Sequence, residues 1–291
     1  MSLAGEYFSK NESYDSTFHI LNRGSTAIET QISALTLKLD KNLVTRENQL
    51  KLMDKLTSGA VELRTIANSA LITSDKIGRS QDISSNISVI AKLYLRLYNL
   101  TKNEQQLTKI IPILLERNHL HALASIENNI NPDILGKYAS EIILIHLAND
   151  DIVSAKKFWD AAVNGMEANP KITGAQSGDE ARTIADAIRR NHGFEIVNNL
   201  LIFWADDHGP KTQEYLKNFY FKNLETEYVK MVQNMDNVPT GMGTIVDEKN
   251  LDEKQNADVV QDMDTFLANN DMGFDYDKHD EIQESSEDDL C

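Results

Sequence analysis

The chain contains 291 residues, of which 41% are hydrophobic and 25% are charged, a composition that can bury a sizeable core. Its one cysteine, Cys291, excludes an intrachain disulfide framework, and no apolar run reaches the roughly 18 residues of a transmembrane helix. The formal net charge of −16 argues against nucleic acid as a partner, because a negative field repels phosphate.

The negative charge is concentrated in the last part of the chain. Residues 241–291 contain sixteen acids and three lysines, whereas residues 1–240 contain 29 acids and 26 lysines and arginines. The sequence therefore predicts a body in residues 1–240 and an acidic, largely disordered and flexible tail in residues 241–291, which has little to bury. The single cysteine, and an N-terminus that lacks a basic segment followed by an apolar one, predict a cytoplasmic protein.

Residues 1–80 are predicted to form a long helical hairpin. The first helix carries one apolar stripe at alternating spacings of three and four: Phe18, Leu21, Ser25, Ile28, Ile32, Leu35 and Leu39. A second, less regular stripe contains Leu50, Met53, Leu63 and Ala67. An intermolecular coiled coil is the alternative, but Arg46 and Gln49 interrupt the stripe before enough heptads are complete.

From residue 82 onward the sequence predicts shorter helices of about 12–17 residues joined by tight turns. The predicted helix starts lie at Asp82, the Thr101–Glu104 pair, Asn131-Pro132, the Ser177–Glu180 pair, Gly193 and Gly209-Pro210. No segment alternates as strands do, so the predicted fold is all-α. Successive hairpins pack naturally as layers, which predicts a tetratricopeptide-like α-solenoid, although no strict 34-residue repeat is present.

The sequence contains no pattern of a catalytic or cofactor site. His119 and His121 are two residues apart, so they lie on different sides of a helix and are not expected to share a metal. A phosphate-binding G-x-x-x-x-G-K-[ST] loop and a G-x-S-x-G turn are both missing. We therefore predict neither an enzyme nor a bound cofactor.

Basic residues suggest a surface for another macromolecule. Lys156 and Lys157 are adjacent on one predicted helix, and Arg189 and Arg190 are adjacent on the next, with Arg182 seven residues before Arg189. If these helices stack in layers, the cations form one positive surface. The alternative is that they are solvated outer faces, balanced by Glu180, Asp186 and Glu195.

One part of the acidic tail is less polar than the rest. Val259, Val260, Met263, Phe266 and Leu267 have the spacing of a short amphipathic helix, and Phe274 and Tyr276 follow. This segment either binds a partner or carries hydrophobic residues by chance.

Two regions resemble the SNAPs, the soluble attachment proteins of the AAA+ ATPase NSF. The first covers residues 132–243 and includes "EIILIHLANDDIVSAKKFWDAAV", the following Ser-Gly-Asp-Glu turn, "ARTIADAIRRNHGFEIVNNLL" and "FKNLETEYVKMVQNMDNVPTGMG". The second, "IQESSEDDLC" at residues 282–291, is similar to SNAP tails. The final Leu-Cys and the Pro-Gly-rich end of the helical region most resemble the gamma form.

The resemblance implies a non-enzymatic adaptor in vesicle trafficking. SNAPs are curved stacks of helical hairpins that lay a basic face along the SNARE four-helix bundle and present an acidic end to NSF, which pulls the bundle apart. Leu290 matches the penultimate leucine of the family, and Glu287, Asp288 and Asp289 match the acidic group before it.

The two basic pairs named above, Lys156 with Lys157 and Arg189 with Arg190, are chosen by charge as candidates for the SNARE-facing side. The resemblance also allows peripheral association with membranes. The alternative function is a helical-repeat scaffold for an unrelated protein, docked on the hairpins or on residues 258–276.

Overall fold

The computed structural model describes residues 13–73, 79–165 and 170–242. These residues form twelve helices: α1 Tyr14–Leu37, α2 Leu43–Thr73, α3 Ser80–Thr101, α4 Gln105–Glu127, α5 Ile134–Ala148, α6 Ile152–Asn164, α7 Pro170–Thr173, α8 Gly178–Arg190, α9 Phe194–Ala205, α10 Gly209–Leu216, α11 Phe219–Lys222 and α12 Thr226–Gln233. No strand occurs in the described residues, where the only β-type pairing is an isolated bridge between His208 and Met242. The predicted all-α fold of layered helical hairpins is confirmed.

Helices α1 and α2 pack along each other, and the residues of the predicted first stripe face the contact. Phe18, Leu21, Ser25 and Ile32 are buried, and the other three members of the stripe are partly buried. The hydroxyl of Ser25 donates to the carbonyl oxygen of Ala60 at 3.1 Å, so the two backbones approach closely at this point. The three–four spacing of the stripe therefore predicted the packed side of α1 correctly.

A buried polar network joins α1 and α2 to α3. Arg64 on α2 forms an ion pair with Glu29 on α1 at 2.7 Å and also donates to Asn86 on α3. The side-chain amide of Asn86 donates to Asn22 on α1 and to Asn68 on α2, each at 2.9 Å. These bonds satisfy polar groups from three helices at once, so they favour one register between the first pair of helices and the next layer.

Helix α5 lies at the centre of the main core. Its sequence ILGKYASEIILIHLA is buried on almost every side, as expected for a helix that has neighbours all around it. It packs against α4, α6, α8 and α12. In a simple solenoid, each layer touches only its neighbours in the sequence. This fold differs, because α12 returns to pack on α3 and α5.

Four of the local signals for helix starts are correct. Ser177 is the N-cap of α8: its hydroxyl oxygen accepts from the backbone N–H of Glu180 at 3.3 Å, and the Glu180 carboxylate accepts from the backbone N–H of Gln176 at 2.9 Å. Gly193 directly precedes α9, and Gly209 and Pro210 open α10. At the start of α5, the side-chain oxygen of Asn131 accepts from the N–H of Asp133 at 3.0 Å.

Two predicted starts are wrong. Helix α3 begins at Ser80, so Asp82 lies inside its first turn, where it bonds to Arg79 instead of capping. Helix α3 also extends through Thr101, and the side-chain oxygen of Asn103, rather than the expected Thr101–Glu104 pair, accepts from the N–H of Gln105 at 3.0 Å.

Helix lengths also differ from the expectation. Helices α3 and α4 have 22 and 23 residues, and α4 accommodates Pro112 on its exposed side. Conversely, the helical stretch expected after Pro210 is divided into α10, α11 and α12. The side chain of Asn218 accepts from the N–H of Tyr220 at 2.9 Å, and this local bond competes with helix continuation between α10 and α11.

Of the helices in the described parts of the chain, none is both long and apolar enough to cross a bilayer. The predicted tail at 241–291 lies outside the described residues except for Gly241 and Met242, so its disorder and the boundary at residue 240 remain predictions.

Candidate functional site

Lys156 and Lys157 lie on the solvent-facing side of α6. The opposite side of this helix is buried through Ala155, Phe158 and Trp159, which leaves both lysines exposed. Helix α6 begins at its N-cap Asp151, whose side chain accepts from the N–H of Ser154 at 2.9 Å. Hydrogen bonding to the side chain of Ser154 has the largest effect in lowering the pKa of Asp151, and the Ser154 backbone N–H and the nearby charge of Lys157 lower it further. Asp151 therefore stays ionised and offsets part of the charge of Lys157.

Arg189 and Arg190 lie on the exposed side of α8, which packs directly against α6. Both arginines contact the same residue: Arg189 forms an ion pair with the Asp186 carboxylate at 3.5 Å, and Arg190 donates to the Asp186 carbonyl oxygen at 3.0 Å. The described residues thus place both predicted basic pairs on the solvent-facing sides of adjacent helices. The arginine pair is partly neutralised by Asp186, one of the three acids of the alternative interpretation, whereas Glu180, another of them, is buried and bonds to His119.

Glu287, Asp288, Asp289 and Leu290, the residues assigned to the ATPase by resemblance, lie outside the described residues. The amphipathic segment from Val259 to Leu267 lies outside them as well. Both assignments remain predictions.

His119 and His121, the pair weighed as metal ligands, have structural partners. His119 bonds to the buried carboxylate of Glu180 at 2.7 Å, whereas His121 packs edge-on against Tyr138 and bonds to the carbonyl oxygen of Asn131 at 3.4 Å. Burial lowers the pKa of His121, so its neutral form is favoured. Within residues 13–73, 79–165 and 170–242, no three His, Cys, Asp or Glu side chains are grouped as metal ligands.

A buried ion pair between α4 and α5 was not predicted. Arg117 donates to the carboxylate of Glu141 at 2.7 Å, and both side chains are at most 3% exposed. The guanidinium also lies 3.5 Å from the centre of the Tyr138 ring and donates to Ser88 at 3.1 Å. Burial disfavours the charge of Arg117, but the carboxylate of Glu141 outweighs this effect and the pKa of Arg117 is raised.

This pair is enclosed by the core, and Tyr228 of α12 completes its surroundings. Burial and the Glu141 carboxylate raise the pKa of Tyr228 well above its usual value, so the phenol remains protonated. Because the charges are sealed from solvent, the pair joins α4 to α5 inside the core and is closed to a ligand. The sequence gives one indication that Arg117 is buried: Arg117 and His121 fall on the same helical stripe as the apolar residue Leu114.

A second unpredicted anchor holds α12 against α3. The Glu227 side chain is 5% exposed and accepts from the side-chain amide of Asn99 at 3.2 Å. It also pairs with Arg96 at 3.4 Å and with Lys230 at 3.2 Å. The same Asn99 amide donates to the backbone oxygen of Glu227 at 2.9 Å, so the contact fixes both the side chain and the backbone of α12.

The return of α12 creates an apolar cleft of ≈ 310 Å³. Its apolar walls are formed by Leu216, Phe221, Val229, Val232, Met235 and Val238. Its polar rim contains Gln213, Lys217, Lys222 and Gln233. These residues come from α10, α11, α12 and the segment after α12, which explains why no single motif in the sequence indicated the cleft.

Comparison with known proteins identifies no relative of this chain. The chain matches no protein-family model, and searches of the curated proteins and of the solved structures found no match.

Proposed function

We propose that this protein is a non-enzymatic adaptor of the SNAP type, which binds an assembled SNARE bundle with its helical body and recruits an NSF-type ATPase with its C-terminal acids. The observation that carries the proposal is the layered helical body with exposed basic pairs on two helices that pack together, α6 and α8. Cations on the surface of a rigid helical layer suit an elongated partner with acidic side chains. The resemblance of residues 132–243 to SNAPs supports the same partner.

The C-terminal acids have a separate task in this proposal. Glu287, Asp288 and Asp289 attract a basic surface of the ATPase over a long range, and Leu290 fills an apolar pocket that fixes the register. Because these residues belong to the same chain as the body, they raise the local concentration of the ATPase near the SNARE bundle. The proposed location is cytoplasmic.

Charge reversal on α6 should weaken SNARE binding. We expect the double variant Lys156→Glu/Lys157→Glu to reduce the affinity for a purified SNARE bundle by about tenfold or more, because two attractions become repulsions. Binding by the unmodified chain should also weaken steeply as salt rises above about 0.1 M. Both effects can be measured in a pull-down at several salt concentrations.

A matched control is the variant Lys51→Glu/Lys55→Glu, which makes the same change in charge on the exposed side of α2. It should leave the affinity within about twofold of the unmodified chain. Equal losses in the two double variants would show that only the total charge matters, and the assignment of α6 to the SNARE surface would be wrong.

Peripheral membrane association is proposed on the turn between α1 and α2. Leu37, Leu43 and Val44 are 89%, 82% and 70% exposed there, and the turn also carries Lys38 and Lys41 together with one acid, Asp40. Exposed apolar side chains beside cations suit the boundary of an anionic bilayer.

The membrane proposal predicts that the chain floats with vesicles of anionic lipid and that Leu43→Asp reduces the bound fraction several-fold, because a carboxylate replaces an inserting side chain. Val153→Asp makes a comparable change at a residue of α6 that is 65% exposed and should not affect flotation. If Leu43→Asp floats like the unmodified chain, the turn is not a membrane contact.

A helical scaffold for an unrelated partner is the second candidate. The observation that favours it is the cleft between α10, α11 and α12, which is separate from the basic pairs on α6 and α8. A pull-down that recovers neither SNAREs nor the ATPase would favour this candidate over the first.

A further inference from the structure

The cleft formed by α10, α11 and α12 has the composition of an anchoring site for a protein side chain. Its volume of ≈ 310 Å³ is at the lower end of the range for ligand pockets, and its walls are apolar while its rim is polar. Such a site buries one or two large apolar side chains, and its rim contacts the residues on either side of them.

The two cations on the rim, Lys217 and Lys222, take no part in the ion pairs of residues 209–238. Residues 209–238 contain four acids, and each one lies opposite another cation: Glu214 opposite Lys211 at 3.9 Å, Glu225 opposite Lys92 at 3.7 Å, Glu227 opposite Lys230 at 3.2 Å and Asp236 opposite Lys102 at 3.7 Å. In the described part of the chain, no acid is paired with Lys217 or Lys222, and both lysines are exposed. The rim is therefore positive and available to an anion.

The walls of the cleft favour a helical partner over an extended one. The described walls of the cleft are mainly short helices and contain no strand, so the cleft offers no sheet edge to which an extended segment could add. A helix satisfies its own backbone and needs only side-chain contacts, which these walls supply.

We propose that this cleft binds an amphipathic helix of another protein, with an apolar side chain in the cleft and acidic residues paired with Lys217 and Lys222. The cleft is distinct from the basic pairs on α6 and α8, so the chain can hold a second partner while those basic pairs are occupied. The proposal does not depend on whether the first partner is a SNARE bundle.

Two synthetic peptides of about 15 residues test whether the cleft prefers an acidic or a basic partner helix. Both carry leucines at i, i+3, i+4 and i+7, and they differ only in having aspartates or lysines beside this stripe. In fluorescence anisotropy with the full-length chain, the acidic probe should bind at least about tenfold more tightly than the basic one.

Variants of the full-length chain then locate the site. Lys217→Glu/Lys222→Glu should reverse the preference between the probes, and Val232→Asp should weaken both probes by placing a carboxylate in the cleft. The control Lys51→Glu/Lys55→Glu should keep the original preference. The lysine variants change exposed side chains only, so their result stays interpretable even if Val232→Asp disturbs folding.

Several results would overturn the proposal. It fails if neither probe binds below about 1 mM, if both bind equally, or if the Lys217→Glu/Lys222→Glu variant still prefers the acidic probe. It also fails if the acidic probe binds only after Phe266→Asp has been introduced, because the occupant would then be the chain's own apolar segment rather than another protein.

Discussion

Replacing Arg117 by alanine is expected to lower the free energy of unfolding by about 3–5 kcal/mol. The substitution leaves the carboxylate of Glu141 buried without its cation, and that side chain is 3% exposed. It also removes the guanidinium from the Tyr138 ring and from the Ser88 hydroxyl. Urea unfolding, followed by circular dichroism, measures the loss directly.

Two further variants separate the buried charge from other effects. Arg182→Ala removes an arginine that bonds to Asp179 at 3.3 Å on the surface, and it should cost no more than about 1 kcal/mol. The double variant Arg117→Met/Glu141→Leu should recover much of the lost stability, because it removes both charges and keeps most of the volume. A loss for Arg117→Ala as small as that for Arg182→Ala would contradict the buried pair.

Replacing Glu227 by alanine is expected to cost about 2–4 kcal/mol. The side-chain amide of Asn99 loses a carboxylate acceptor, and Arg96 and Lys230 lose their anion. Because these contacts hold α12 on α3, hydrogen exchange should accelerate in α12 more than in the central helix α5. Unfolding and hydrogen exchange together give the size and the location of the effect.

Glu225 provides the matched control for this prediction. It directly precedes α12, is exposed, and lies 3.7 Å from Lys92. Glu225→Ala should therefore change stability by less than about 1 kcal/mol and leave exchange in α12 unaltered. If Glu225→Ala and Glu227→Ala behave alike, burial of Glu227 is not what fixes α12.

The predictable parts of the fold are those set by residues close in sequence. The stripe from Phe18 to Leu39 predicted the packed side of α1, since helical spacing depends only on the local chain. The bonds between Ser177 and Glu180 could be predicted for the same reason, because the two residues are three positions apart. Asp82 shows the limit, since its bond to Arg79 replaced the expected cap.

The anchors between distant helices could not be predicted in this way. Arg117 and Glu141 are 24 positions apart, and Arg96 and Glu227 are 131 positions apart. No local pattern in the sequence links the two members of either pair. Only the packing of helices from different layers shows that they are buried and paired.

For the basic pairs, the structure bears on their exposure and on their charge balance, and contact with Asp186 belonged to the alternative interpretation of the sequence. Lys156, Lys157, Arg189 and Arg190 are all exposed, as the positions of the apolar residues on their helices indicated. The contacts of both arginines with Asp186 make the lysines the stronger candidates. The cleft could not be predicted because its walls combine residues of three short helices with residues of the segment after α12.

Recruitment of the ATPase to a SNARE bundle is the most direct measurement of the adaptor function. With the bundle immobilised, we expect the full-length chain to retain a purified NSF-type ATPase, and a variant lacking residues 282–291 to bind the bundle but lose the ATPase. The variant Leu290→Ala should lose most of the retained ATPase, because the apolar anchor is removed. Undiminished ATPase retention by the truncated chain, or none by the full-length chain, would contradict the adaptor function.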